Sequence, residues 1–229
     1  MNIFFRSMLV MLAFIGAAEA APIVKVSVYG DSTFAGYLPD GTYTQNSAPV
    51  VLERELQKQF GKVVTVTSKA NVGATIKDLV LGQGLFTESL AQMLTHDDGN
   101  IIIENFAIND SYMYPAIEYE QRLNQFIAIV RAAGKVPVLE EPNPICNPYH
   151  PNWAALVEGT VPIINRVGTQ NNVLVIQQYN HITLMQNWQS MLNGCNHPYG
   201  VHPNEALYAI KAVAEKNAIA PLVQSLLGQ

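Results

Sequence analysis

Asn100-Ile101-Ile102-Ile103-Glu104-Asn105-Phe106, running on into Ala107-Ile108-Asn109-Asp110, is the stretch that decides how this chain folds. Three consecutive isoleucines leave no polar face, and a strand of that composition is covered on both sides, as in a parallel sheet clad in helices. Outward from it the chain alternates. Upstream, Val26-Ser27-Val28-Tyr29 reads as a strand that breaks into Gly30-Asp31-Ser32, followed by a surface loop from Phe34 to Asn46. Ser47 and Pro49 open a helix, with Val50, Val51, Leu52, Leu56 and Phe60 at helical spacing and Gly61 as its stop. Val63 to Thr67 is a strand by its β-branched content. The loop Asn71-Val72-Gly73-Ala74-Thr75 leads into a helix at Ile76, and another helix is expected around Leu85 to Leu94.

Downstream, residues 116 to 133 form a helix with Ile117, Leu123, Phe126, Ile127 and Val130 on one broad face. Val136 to Leu139 is a strand, Glu141 to Asn152 a long loop, Trp153 to Val167 a helix and Val173 to Ile176 a strand. A short helix near Thr183 to Leu192 precedes the loop 193–203. A last helix starts near Asn204, packs with Leu207, Ile210 and Val213, and is followed by a short apolar tail. Five strands alternating with helices predict a three-layer α/β/α sandwich around a mostly parallel five-stranded sheet, whose ligands bind beyond the carboxyl ends of the strands.

The composition narrows the function. Of 229 residues, 49% are hydrophobic and 14% charged, which excludes a disordered chain. With 13 Lys and Arg against 18 Asp and Glu and no basic patch, no nucleic-acid partner is expected. Residues 1–20 read as a secretory signal peptide: Arg6 is the positive end, Met8 to Ile15 the apolar run, and Ala18-Glu19-Ala20 the cleavage site. The apolar run is too short to span a bilayer comfortably, and no other stretch qualifies, so no stable membrane insertion is expected. The expectation is an exported protein, periplasmic or secreted, with residues 21–229 as one domain and a monomer. Cleavage removes Arg6 and Glu19 together and leaves the net charge at −5. In a reducing compartment Cys146 and Cys195 would be two buried thiols; in an oxidising one a lone pair is most simply a disulfide.

Ser32, Gly73, Asn109 and His202 all fall in loops at the carboxyl ends of strands or their equivalents, so a parallel sheet gathers them on one edge. They are the inventory of acyl transfer: a serine nucleophile, a histidine base and donors for an oxyanion. Each alone has a plainer reading. Gly-Asp-Ser is an ordinary turn tripeptide, Asn109 and Gly73 suit turns, and His202 could be a surface residue before a helix.

Taken together and in order, they resemble the SGNH (GDSL-type) serine hydrolases. Gly30-Asp31-Ser32-Thr33-Phe34-Ala35-Gly36-Tyr37 is similar to the first block of that family, Asn71-Val72-Gly73 to the second, Ile108-Asn109-Asp110 to the third and Gly200-Val201-His202-Pro203-Asn204 to the last. The resemblance implies the flavodoxin-like fold of that family, with Ser32 as nucleophile, His202 as base, and the backbone N–H groups of Ser32 and Gly73 with the Asn109 amide as the oxyanion hole. With the signal peptide it implies an exported hydrolase of carboxylic esters working through an acyl-enzyme, on a small-molecule or glycan ester; the aspartates and histidines form no metal-ligand pattern, and no cofactor or metal is expected. The choice between a lipid-type acyl ester or thioester and an O-acetyl glycan stays open, as does a binding protein of carbohydrate or lipid that kept the fold after activity faded. The loop aromatics Phe34, Tyr37, Tyr112 and Tyr114 are candidates for lining the acyl or glycan pocket.

Two departures stand out. The third block usually begins with glycine, where this chain has Ala107, a methyl expected to narrow the pocket. The family places Asp three residues before the histidine; here it is Tyr199, and no Asp occurs after Asp110. Three arrangements are open: a backbone carbonyl near Pro198 orients the histidine in a Ser-His dyad, Glu140 or Glu141 takes the aspartate's place, or the site is weak. His197 competes with His202, but only His202-Pro203-Asn204-Glu205 leads directly into a helix. A Cys146–Cys195 bond would tether the histidine loop to the loop after the fourth strand.

Overall fold

The computed structural model describes residues 23–147, 150–195 and 200–228. The proposed signal peptide lies outside them, as do His197, Pro198 and Tyr199. Five strands, β1 (Val24–Gly30), β2 (Val64–Ser68), β3 (Ile101–Asn105), β4 (Val136–Glu140) and β5 (Leu174–Ile176), form one sheet in the order β2-β1-β3-β4-β5, parallel throughout. Val28 pairs with Ile103 and Gly30 with Asn105, so β1 and β3 end level with each other. The strand order reverses between these two strands, which opens a crevice beyond their carboxyl ends.

The isoleucine run is explained by cladding on both faces. Ile101 and Ile103 join Val24, Val26, Val28 and Val138 under α2 (Ala48–Phe60) and α9 (Glu205–Leu226). Ile102, Tyr29 and Leu139 pack on the other face with α3 (Ile76–Leu81), α4 (Leu90–Met93), α6 (Ala116–Ala132) and α7 (Pro151–Asn171). Three short helices sit at the carboxyl edge: α1 (Ser32–Ala35), α5 (Ile108–Met113) and α8 (Gln178–Thr183).

The helix expected from Leu85 to Leu94 shrinks to the one turn of α4, because Gly82 and Gly84 hold positive φ and the chain turns until Ser89 caps Gln92. Instead of one helix over Thr183–Leu192 there are α8 and a separate 3₁₀ segment, Trp188–Cys195, divided where Asn187 takes φ +58°. The apolar tail is no separate segment, since α9 runs through Pro221 to Leu226. On that helix Val213 is exposed, while Lys211 and Glu215 are fully buried.

Candidate active site

The end of β1 shows why its sequence reads Gly-Asp-Ser. A Cβ on Gly30 would stand 2.5 Å from the Phe34 ring and 2.9 Å from the Asn105 carbonyl oxygen, so only glycine lets α1 fold back over the strand. Asp31 caps that helix, its Oδ1 accepting from the Thr33 N–H at 2.8 Å and the Thr33 hydroxyl at 2.9 Å. Burial raises the Asp31 pKa, opposed by the bonds from Thr33 and the charge of Lys211. Ser32 follows at the first helical position, its side chain facing the crevice with 6% of the residue exposed.

His202 reaches it from the far end of the sequence. Its Nε2 lies 3.0 Å from Ser32 Oγ, a hydrogen bond the serine donates when the imidazole carries its proton on Nδ1. Burial lowers the His202 pKa to about 4, so the ring is neutral over most of the pH range and able to accept. Tyr37 packs its ring edge-on against the imidazole with centroids 4.7 Å apart. The loop carrying Tyr37 is tied to α9 by the Tyr208 hydroxyl, which donates to the Tyr37 carbonyl at 2.8 Å, and by Glu205, which accepts from Thr44.

Asn109 draws the remaining loops together. Its Nδ2 donates to the Ala74 carbonyl at 3.0 Å and lies 3.5 Å from Asp31 Oδ2, so it touches the neighbours of both Gly73 and Ser32. Gly73 takes φ +83°, in the left-handed region that favours glycine. Asp110, the next residue after Asn109, accepts from the backbone N–H groups of Ile76 and Ala107 and so locks the second loop to the third. Ala107 takes φ +95°, which costs a residue with a side chain about 1–3 kcal/mol and is a conformation that glycine, expected at this position from the resemblance, adopts freely. Its methyl is buried among Phe106, Ile76 and their neighbours in the core, where the expectation had placed it in the pocket.

Glu140 and Glu141 do not play the part expected of them. Both are fully buried, but Glu140 accepts from Gln178, which also donates to Glu215, and burial together with the charge of Glu215 keeps the Glu140 pKa well above the usual range. Glu141 accepts from Asn165 Nδ2 at 2.7 Å and from the Tyr179 N–H at 2.9 Å, which fastens α8 to α7. The expectation that one of them orients His202 gives way to these bonds. Cys146 and Cys195 are joined in a disulfide. Of the loop aromatics, Phe34 is wholly buried, Tyr37 meets His202, Tyr114 lies under Lys77, and Tyr112 is exposed beside Trp153 with centroids 5.9 Å apart. Among the described residues no group of His, Cys, Asp and Glu is arranged to hold a metal ion.

Sequence reasoning missed Asn143 and Lys211. Both are fully buried behind the site, with Lys211 Nζ 3.5 Å from Asn143 Oδ1. Nothing in the local sequence marks them, since an asparagine in a proline-rich loop and a lysine on a helix are ordinarily solvated.

A doubly wound α/β sandwich with a serine–histidine pair at its switch point defines a class, the serine hydrolases of flavodoxin-like topology. Within that class, residues 28–210 match the GDSL-like lipase/acylhydrolase family, and the chain belongs to it. No curated protein matches the sequence significantly. Among solved structures the chain is similar to the lipase/acylhydrolase from Enterococcus faecalis, at 18% identity and TM-score 0.69, over 87% of this chain and 97% of that one. It is similar to the carbohydrate acetylesterase family member from Sinorhizobium meliloti at 19% identity and TM-score 0.63, over 90% and 100%. It is also similar to the psychrotrophic esterase EstA from Pseudoalteromonas sp. at 14% identity and TM-score 0.63, over 87% and 98%.

Proposed function

We propose that the protein is an exported hydrolase of carboxylic esters in which Ser32 is the nucleophile and His202 the base. The observation that carries this reading is the 3.0 Å approach of His202 Nε2 to Ser32 Oγ at the carboxyl end of β1. A serine hydroxyl is a poor nucleophile at neutral pH unless a neutral base accepts its proton as it attacks. Ser32 Oγ bonds to the ester carbonyl carbon while its proton passes to His202 Nε2. The negative charge then on the carbonyl oxygen is held by the N–H groups of Ser32 and Gly73 and by the Asn109 amide, which rotates toward it and gives up its long 3.5 Å contact to Asp31. The tetrahedral adduct collapses, the imidazolium protonates the departing alcohol, and an acyl ester on Ser32 remains. A water attacks this ester with His202 again accepting the proton, and release of the carboxylic acid restores the enzyme.

The similar structures include an esterase and a carbohydrate acetylesterase family member, which supports a small acyl group on a small-molecule or glycan alcohol. Export is supported by the sequence of residues 1–20 and by the Cys146–Cys195 bond, which suits an oxidising compartment. The test is labelling with a fluorophosphonate followed by peptide mass mapping. An adduct on Ser32 that Ser32→Ala and His202→Ala both abolish is the expected result. A folded wild-type protein that takes up no label would overturn the hydrolase and favour a binding protein. Rates on acetyl to long-chain aryl esters, set beside acetylated glycans, then identify the acyl group and the alcohol.

A further inference from the structure

The segment that carries His202 is held from below by the loop after β4, and this loop is stitched to it at three points. Cys146 is bonded to Cys195. The Cys146 N–H donates to the Gly200 carbonyl at 2.9 Å, and Gly200 sits so close that a Cβ on it would stand 2.5 Å from the Cys146 carbonyl oxygen. The third stitch is a side chain. Asn143 Nδ2 donates to the Val201 carbonyl at 3.0 Å, on the peptide that leads directly into His202, and to the Pro144 carbonyl at 3.0 Å.

Asn143 is itself held. Its Oδ1 faces the ammonium of Lys211 at 3.5 Å, so the amide cannot flip without turning its NH₂ onto a cation. Lys211 is fully buried, lies 5.1 Å from the centroid of the Phe34 ring, and its charge is felt by the carboxyl groups of Asp31, Glu140 and Glu215. A buried ammonium of this kind is costly to build and earns its place only through what it fixes. Here it stands between Asp31, the residue before Ser32, and Asn143, one carbonyl away from His202.

We propose that Asn143, oriented by Lys211, is the positioning residue that fixes the His202 backbone so that the imidazole reaches Ser32. This rests on the reading of Ser32 and His202 as nucleophile and base. The base is registered from beneath by a neutral amide bonded to its backbone, and Tyr37 packs on its ring. A displacement of about 1 Å at the reacting groups costs on the order of 100-fold in rate, so loss of this bond acts on kcat.

The experiment compares Asn143→Ala and Asn143→Asp with wild type. Asp keeps the shape of the side chain and its contact with Lys211 but, ionised, cannot donate to the Val201 carbonyl. The expected result is a fall in kcat of about 10- to 100-fold in both, with KM within about 2-fold. Val223→Ala, a core truncation further along α9, is the control for stability alone: at a similar loss of melting temperature it keeps its kcat. Wild-type kcat in either folded Asn143 variant, or a kcat in Val223→Ala that falls in step with its melting temperature, overturns the proposal. If neither Asn143 variant folds, Lys211→Met releases the amide from its other side, and the same kcat-selective loss is expected, with unchanged kcat overturning the proposal. Fluorophosphonate labelling separates the two readings: no label on wild-type Ser32 removes the underlying hydrolase, whereas equal labelling rates in wild type and Asn143 variants remove only the role of Asn143.

Discussion

His202 works as a base only while its ring is neutral, and its surroundings decide how far into acid that condition holds. Burial disfavours the imidazolium and lowers the pKa to about 4, against an ordinary value near 6.5. The acid limb of kcat/KM for the free enzyme is therefore expected between about pH 4 and 5, and a pH–rate profile on a small ester stable in acid checks it. A limb near 6.5 would mean that the ring titrates in water and stands away from Ser32. Asn109 gives the second test at this scale. Removing one oxyanion donor costs about 100- to 1,000-fold in kcat, so Asn109→Ala is expected to lose that much while fluorophosphonate still labels Ser32, since the serine–histidine pair remains. An Asn109→Ala enzyme within a few-fold of wild type would place the oxyanion elsewhere. The candidate residues Ser32, Gly73 and Asn109 were legible in the sequence because each follows a strand, with Gly30 for a close approach, Gly73 itself for a left-handed turn and Asp31 for a cap, and His202 because Pro203 and Asn204 lead from it into α9. Asn143 was not, because its partners are the Val201 carbonyl and Lys211, far along the chain.

The loop after β4 and the loop before α9 form one unit at the scale of elements. The disulfide spans 49 residues, and closing a loop of that length stabilises the fold by about 4 kcal/mol in the chain-entropy account. Cys146→Ser, or reduction of the wild type, is expected to lower the melting temperature and also kcat, because the Cys146 backbone holds Gly200 two residues before the base. Unchanged melting temperature and turnover would show the bond to be idle. Strand positions followed from composition, since β-branched and apolar runs are local signals. Helix faces were read less well. In α9 the expected Leu207 is buried with Ile210 packed beside it, but Val213 is exposed, and the helix buries a further stripe through Tyr208, Lys211, Ala212 and Glu215. Charged residues four apart on a helix ordinarily mark its wet side. Here Glu140, Asn143 and Gln178, from elements distant in sequence, give them partners, and no window along α9 contains that information.

The whole molecule gathers an unusual number of buried acids beneath one edge of its sheet, and this sets its stability against pH. Burial, chiefly, raises Glu104 to about 8 and Asp110 and Glu215 to about 7. In the unfolded chain these groups ionise near pH 4, so between about pH 4 and 8 the folded state binds more protons and stability falls as pH rises. His202 acts the other way between about 4 and 6.5, because its folded pKa is depressed, but it is one group against three. Asp97 sets the acid boundary. Burial opposes its charge, yet bonds from Tyr29, Ser27, the Gly99 N–H and Lys69 prevail and hold it at about 2, so its contribution is present above about pH 4 and is lost as pH falls toward 2. The expectation is a denaturation midpoint higher at pH 5.5 than at pH 8. Glu104→Gln, neutral and of the same shape, flattens that difference, and Asp97→Asn removes much of the decline below pH 4. Urea titrations of the three proteins across this range check it. A wild-type midpoint that rises from pH 5.5 to 8 would mean that Glu104 and Asp110 reach water in the folded state and that the acids beneath the crevice are not sealed from it.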